Sequence, residues 1–206
     1  MLGRAPSLTQ YAGCRSAVIL AGLGVLVASC QPHRSPNPER RPPMFRSERM
    51  ADGKRWTVEN LNLRVMNSYC YDDAEANCVR SGRLYTWTSA GQGCRLLGAG
   101  WRLPTDDDWR QLARQYGGVF EDSNDSGRVA YRALLIGGAS AFNAALGGGR
   151  SRNGTYARSE AHGFYWTASE SDSGAWFYNF GHGSLALYRQ SDGDKEMAMS
   201  VRCLKE

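Results

Sequence analysis

The chain has 206 residues, 42% of them hydrophobic and 11% aromatic, enough to fill one core and form one domain. Its formal net charge of +5 comes entirely from the first 50 residues, because Arg4 and Arg15 stand unopposed in 1–29 and five arginines face two glutamates in 31–50. Residues 51–206 are therefore neutral and have no long-range field to gather phosphates, which argues against nucleic acid as a partner.

At the amino end, Arg4 and Arg15 precede the apolar run Ala17–Val27, too short to span a bilayer and suited to the core of an export signal over 1–29. The following Val27-Ala28-Ser29-Cys30 resembles the lipobox of bacterial lipoproteins, in which small residues precede the Cys that receives diacylglycerol. Charged region, apolar core and small-small-Cys occur in that order, so lipidation at Cys30 is expected rather than an ordinary signal peptide with an incidental thiol. Each acyl methylene buried in a membrane adds about 0.8 kcal/mol, so several chains make a lasting anchor. Gln31, where an Asp would signal retention at the inner membrane, favours by the same resemblance the outer membrane of the cell envelope. Residues 30–50 contain five of the seven prolines and little that can pack, so they read as an extended tether. Its arginines are few, and a solvated spacer explains them better than head-group binding.

The folded domain is expected over 51–206. Arg55–Leu61 alternates β-branched and aromatic residues and predicts a first strand. Tyr69–Cys78 reads as an acidic loop between two cysteines, and Gly82–Ala90 as a short helix. The strongest local signal follows. Thr105 suits an N-cap, Asp108 a capping acid, and Asp106 and Asp107 the positive end of the helix dipole. Trp109, Leu112, Ala113 and Tyr116 then form one apolar stripe, and Gly117-Gly118 ends the helix. Pro104 keeps Leu103 extended, so Trp101-Arg102-Leu103 should lead straight into the cap. Glu121–Gly127 is a polar loop, Ala130–Leu135 a short helix, and Ser140–Gly149 and Gly163–Glu170 are strands. Ala175–Phe180, Ser184–Arg189 and Ala198–Leu204, broken by short Gly- and Asp-rich turns, predict an antiparallel meander. The class is α+β, with about two helices on a small, twisted antiparallel sheet and long loops.

With Cys14 lost in the signal and Cys30 lipidated, four cysteines remain, and four allow three pairings. In an exported chain an even set points to disulfides. Cys70 with Cys78 would close a small loop, and Cys94 with Cys203 would tie the region before the central helix to the last strand. The loop-entropy relation gives about 4 to 5 kcal/mol for the second and about 2 to 3 kcal/mol for the first. Zinc is disfavoured, since no Cys-x-x-Cys exists and His162 and His182 lie far off in sequence.

Six blocks in order carry a resemblance: Glu59-Asn60-Leu61-Asn62, the Cys70–Cys78 loop, Gly82–Trp87, Gly100–Thr105 with Trp109, Tyr165–Ser169, and Ser200-Val201-Arg202-Cys203. Together they resemble the Fibrobacter succinogenes major paralogous domain over nearly all of 51–206. The resemblance implies a lipoprotein with disulfide-forming cysteines and no established activity. The Arg-Leu-Pro-Thr block, the following Trp and the late Arg-Cys also resemble the formylglycine-generating, sulfatase-modifying family and, more remotely, the C-type lectin-like fold. That implies a disulfide-stabilised α+β domain with neighbouring termini, which suits a Cys94–Cys203 bridge. Cys94 stands further from Gly100 than in the family pattern, and Arg102 stands where the pattern often has His.

Catalytic constellations find little support. A formylglycine-generating enzyme needs a redox-active cysteine pair, and all four cysteines here are better used structurally. Iron-binding relatives need clustered histidines, whereas His162 and His182 are isolated beside glycines and read as loop residues. No Gly-x-Ser-x-Gly elbow exists for Ser-His-Asp chemistry. Asp122–Gly127 begins like a calcium loop, but Ala133 stands where a bidentate Glu is needed, and the calcium-dependent sugar motifs of C-type lectins are missing. Gly147-Gly148-Gly149-Arg150 lacks the Lys and Ser/Thr of a phosphate loop and reads as a turn. No catalytic residue, cofactor or metal ligand is therefore expected. Of the six tryptophans most should be core, while Trp176, Tyr178 and Tyr188 on the late strands are the candidate ligand surface. The expected function is non-catalytic binding of a surface glycan or protein by a lipid-anchored envelope protein. An enzyme of the formylglycine-generating type and a purely structural envelope component are the alternatives.

Overall fold

The computed structural model describes residues 45–206; the expected signal segment, Cys30 and most of the tether lie outside them. Strand β1 (Ser47–Arg49) pairs antiparallel with β2 (Arg55–Thr57), and β2 pairs on its other side with β10 (Leu204–Lys205). The first and last strands of the domain thus share one small sheet. The boundary read from the sequence at residue 51 falls inside the fold, since Phe45 packs edge-on against Trp101 and Met50 is buried. The proline-rich composition stops at Pro43, and the charged 46–49 segment is an edge strand whose outward residues look like spacer.

Strands β3 (Ser68–Tyr69) and β4 (Leu84–Tyr85) form a two-stranded ladder. Between them, the expected acidic loop is a 3-10 turn at Tyr71–Asp73 followed by helix α1 (Glu75–Ser81). The helix expected over Gly82–Ala90 begins only after β4, as α2 (Trp87–Arg95), because Leu84 and Tyr85 are extended and buried. Helix α3 (Asp106–Arg114) starts where the sequence places it. Thr105 Oγ1 accepts from the Asp108 amide, and the Asp108 carboxylate accepts from the Thr105 amide, which satisfies two orphan N–H groups. Gly117 and Gly118 both take left-handed φ, and the Gly118 amide closes the C-terminal turn onto Ala113 O. The Asp122–Gly127 carboxylates turn onto backbone: Asp125 accepts from the Gly127 and Val129 amides at the start of α4 (Arg128–Leu134).

The main sheet has five strands in the order β6-β5-β7-β8-β9: β5 (Gly147–Arg150), β6 (Tyr156–Ser159), β7 (His162–Ser171), β8 (Gly174–Gly181) and β9 (Ala186–Gly193). It is mixed rather than purely antiparallel, because β5 bridges β7 in parallel through Gly148 and Gly163. Residues 147–149 are strand, not turn, and 140–146 are irregular, with left-handed Ala141 and Asn143. A Cβ at Gly148, whose φ is +66, would lie 2.5 Å from Ala157 O, so the strand needs glycine there. The expected third strand of the meander, 198–204, leaves it and stitches the domain together instead. Met199 bridges Tyr85, Ser200 bridges Tyr165, Val201 O accepts from the Leu61 amide, and Leu204 pairs with Trp56. Four α-helices, rather than two, flank these sheets among the described residues, and the class is α+β.

Two apolar clusters form the core. One joins α3 and α4 to the sheet through Trp56, Trp109, Tyr131, Phe142, Tyr165, Tyr178 and Phe180. The other gathers Leu61, Tyr85, Trp101, Leu103, Trp166 and Val201 around Cys94 and Cys203. Trp56, Trp101, Trp109 and Trp166 are core; Trp87 and Trp176 reach the surface in part.

Candidate ligand groove

The four cysteines of the domain form two disulfides, Cys70–Cys78 with Cα atoms 5.0 Å apart and Cys94–Cys203 with Cα atoms 5.4 Å apart. The aromatic platform expected on the late strands does not form. Tyr178 is a core residue, stacked on Trp109 at 4.9 Å, with its hydroxyl donating to the Asp106 carboxylate. Burial first, and the Asp106 charge second, hold that phenol far above its ordinary pKa. Trp176 is partly exposed, but the Arg189 guanidinium sits 3.4 Å from the centroid of its ring and is itself held in a fork by Asp106. Tyr188 is partly exposed and stacks on Phe120. The three aromatics lie on the late strands as expected but do not share a face: 176 and 178 face α3, whereas 188 faces away, on the row of Phe164 and Asn179.

On that outward face lies a polar line the sequence did not reveal. His162, in β7 rather than a loop, has Nδ1 2.9 Å from Asn179 Oδ1, and the Asn179 amide donates to Gln190 Oε1 at 3.0 Å. His182 is an exposed turn residue, as expected.

The better-formed concavity lies elsewhere. A groove of about 450 Å³ runs between α2 and the extended lead into α3, lined by Trp87, Gly91, Arg95, Arg102, Leu103 and Ala168. Trp87 is fixed by its indole N–H, which donates to Thr167 O at 2.8 Å, and Lys195 rests over its ring at 4.5 Å. Leu103 is extended because Pro104 follows it, and Ala168 is brought in by a hydrogen bond from its amide to Pro104 O. The bulge in β7 between Trp166 and Glu170 opens this corner.

Two glycines of α2 explain the shape. A Cβ at Gly93 would come 2.6 Å from Leu61 Cδ2, so a side chain there would require the buried Leu61 to shift. Gly91 has no such reason, because a Cβ would meet only Arg95 Nη1 at 3.4 Å. A mid-helix glycine costs roughly 1 kcal/mol against alanine. What Gly91 preserves is the open floor of the groove.

The electrostatics are one-sided. Arg102 is committed to Asp108 and Glu206, while Arg95 makes no ion pair or side-chain hydrogen bond to a protein acceptor among the described residues. Asp108, buried beneath the groove wall, is pushed up by burial, but hydrogen bonds from Arg102, Lys54 and Thr105 outweigh this and hold its carboxyl far below the ordinary range. The groove can therefore take an apolar body against Trp87, Leu103 and Ala168 and an acidic group against Arg95. Three of the six sequence blocks supply its walls, with Trp87, Arg102 to Thr105, and Ala168, although no single block announces a groove. No curated protein and no solved structure matches the chain. The family model described as Fibrobacter succinogenes major domain matches residues 45–205, and the chain belongs to that family.

Proposed function

We propose that the protein is a non-catalytic binding module of the cell envelope, lipid-anchored through Cys30, that seats an apolar and acidic segment of a protein partner in the groove between α2 and the α3 lead. Gly91 carries this reading, as a helix glycine whose missing side chain is explained by nothing except the open groove. The apolar lining favours a protein segment over a glycan, since sugar hydroxyls need many polar partners in their site. In the same reading the domain is C-type lectin-like, supported by the sheet that joins its first and last strands and by the disulfide beneath it.

The test is a titration of the full chain against arrays of acidic-apolar peptides and of glycans, with Gly91→Leu and Arg95→Glu as variants. Peptide binding should weaken at least tenfold in both variants while the melting temperature stays within a few degrees, since Leu at 91 has room and suits a helix. Binding of glycans alone, indifferent to both substitutions, would overturn the reading.

A further inference from the structure

The Cys70–Cys78 disulfide has surroundings unlike those of a structural staple. Arg83 is 6% exposed, and its Nη1 lies 3.3 Å from Cys70 Sγ and 3.4 Å from Cys78 Sγ. The guanidinium is held in this position by Ser68, through the hydroxyl at 3.1 Å and the carbonyl at 3.1 Å, and by the Glu75 carboxylate at 3.7 Å. Glu75 Oε2 also lies 3.3 Å from Cys70 Sγ. In the disulfide neither sulfur carries a proton, so the Arg83 N–H can only be accepted weakly by sulfur and the Glu75 approach is a bare contact. After reduction each finds a use: a thiolate on one sulfur is stabilised by Arg83, and a thiol on the other donates to Glu75.

The approach lies on the far side, where a polar cleft of about 430 Å³ is bordered by Cys78, itself 1% exposed, by Asn60, Asn143 and Arg80, and by two apolar side chains at the surface, Val79 at 80% exposure and Ile136 at 67%, so a reductant must displace the cleft wall to meet the sulfur. The bond closes only 8 residues, against 109 for Cys94–Cys203, so cross-linking constrains the unfolded chain far less.

From this geometry we infer that Cys70–Cys78 is a thiol–disulfide exchange site that is reduced by a dithiol through the cleft while Cys94–Cys203 stays closed. The reductant thiolate attacks Cys78 Sγ, the S–S bond breaks, and Cys70 leaves as a thiolate beside Arg83. The second thiolate of the reductant then attacks its own sulfur in the mixed disulfide and releases Cys78. The dithiol is oxidised to its disulfide and gives up two protons; one ends on Cys70, facing Glu75, and one goes to solvent, leaving Cys78 as the thiolate paired with Arg83. A cation fixed against the thiolate favours the reduced form and so raises the reduction potential. This inference is independent of the groove and its ligand.

The full chain is equilibrated in dithiothreitol buffers of graded reduced-to-oxidised ratio, then alkylated and digested, and each cysteine is read by mass spectrometry. Cys70 and Cys78 should be half-reduced at a ratio at least a hundredfold lower than Cys94 and Cys203, with the near-UV dichroism of the folded domain retained. Arg83→Gln should require at least a tenfold higher ratio, and Arg83→Lys should restore most of the difference. Co-reduction of both disulfides only on unfolding, or a folded Arg83→Gln that titrates like the parent, would overturn the inference. If Arg83→Gln does not fold, the ranking of the two disulfides in the parent chain decides alone.

Discussion

Cys94–Cys203 and Cys70–Cys78 are the same bond in opposite environments. Around Cys94 and Cys203 the chain has placed Leu61, Tyr85, Ala90, Leu97, Trp101 and Val201, and neither cysteine is exposed. A thiolate there would have no cation and no water, so burial disfavours its formation. Cys70 and Cys78 are buried too, at 4% and 1% exposure, but Arg83, Ser68 and Glu75 stand around them and Cys78 borders a cleft. The comparison teaches that a cross-link's role is set by what could stabilise its broken form. The first has nothing to receive a charge and serves the fold, whereas the second has a guanidinium already in place.

The largest expected effect comes from removing the first bond. Cys94→Ser with Cys203→Ser should lower unfolding free energy by about 4 to 5 kcal/mol, and Cys70→Ser with Cys78→Ser by about 2 to 3 kcal/mol, both read by denaturant titration. Equal losses would collapse the distinction drawn above. Next is Arg202, the residue before Cys203, fully buried and without an ion pair among the described residues. Its guanidinium donates to Asn60 Oδ1, Thr57 O, Phe142 O and Asn143 O, and lies 4.6 Å from the centroid of the Phe142 ring. Arg202→Met removes four hydrogen bonds, leaving Asn60 Oδ1 with only the Tyr165 hydroxyl, and should cost about 3 kcal/mol or more, with the loss concentrated in hydrogen-exchange protection around 57–60 and 142–143. The smallest is electrostatic. The folded Asp108 carboxyl titrates below its unfolded value, so its contribution is complete above the unfolded pKa of about 4 and is lost as the pH falls through and below it. Stability should fall by about 2 kcal/mol between pH 7 and acid, and Asp108→Asn should be less stable at pH 7 with a flatter profile.

Much of the fold was legible in residues 101–118, where cap, stripe and glycine stop are local. The late strands were legible too, because alternation and turn residues sit next to each other in sequence. Legibility failed where partners are distant. Asp106 and Asp108 satisfy the helix dipole and cap as expected, yet they are also buried hubs, one for Arg189 and Tyr178 and the other for Arg102 and Lys54. The 198–204 segment reads as one more strand of a meander, but its backbone hydrogen bonds go to 56–61, Tyr85, Arg102, Arg150 and 164–166. Tyr178 was misplaced because period-two alternation assigns faces only once it is known which face is covered.

For the candidate site the same division holds. Trp87, Arg102, Leu103 and Ala168 belong to recognisable blocks and Gly91 and Arg95 do not, but a concavity is a property of segments brought together, and an empty volume leaves no residue to read. Gly91 and Gly93 are indistinguishable in sequence, and only the position of Leu61 separates a glycine required by packing from one that keeps space open.

The amino-acid sequence by itself determined the α+β class, the cap and stripe of α3, and the supply of four cysteines, because these depend on neighbours along the chain and on counting. Tertiary structure alone decided which of those cysteines meets Arg83 and which meets only hydrocarbon, and which glycine faces a void. Burial, charge proximity and open space are relations between residues far apart in the chain, and they exist only after folding has set the distances.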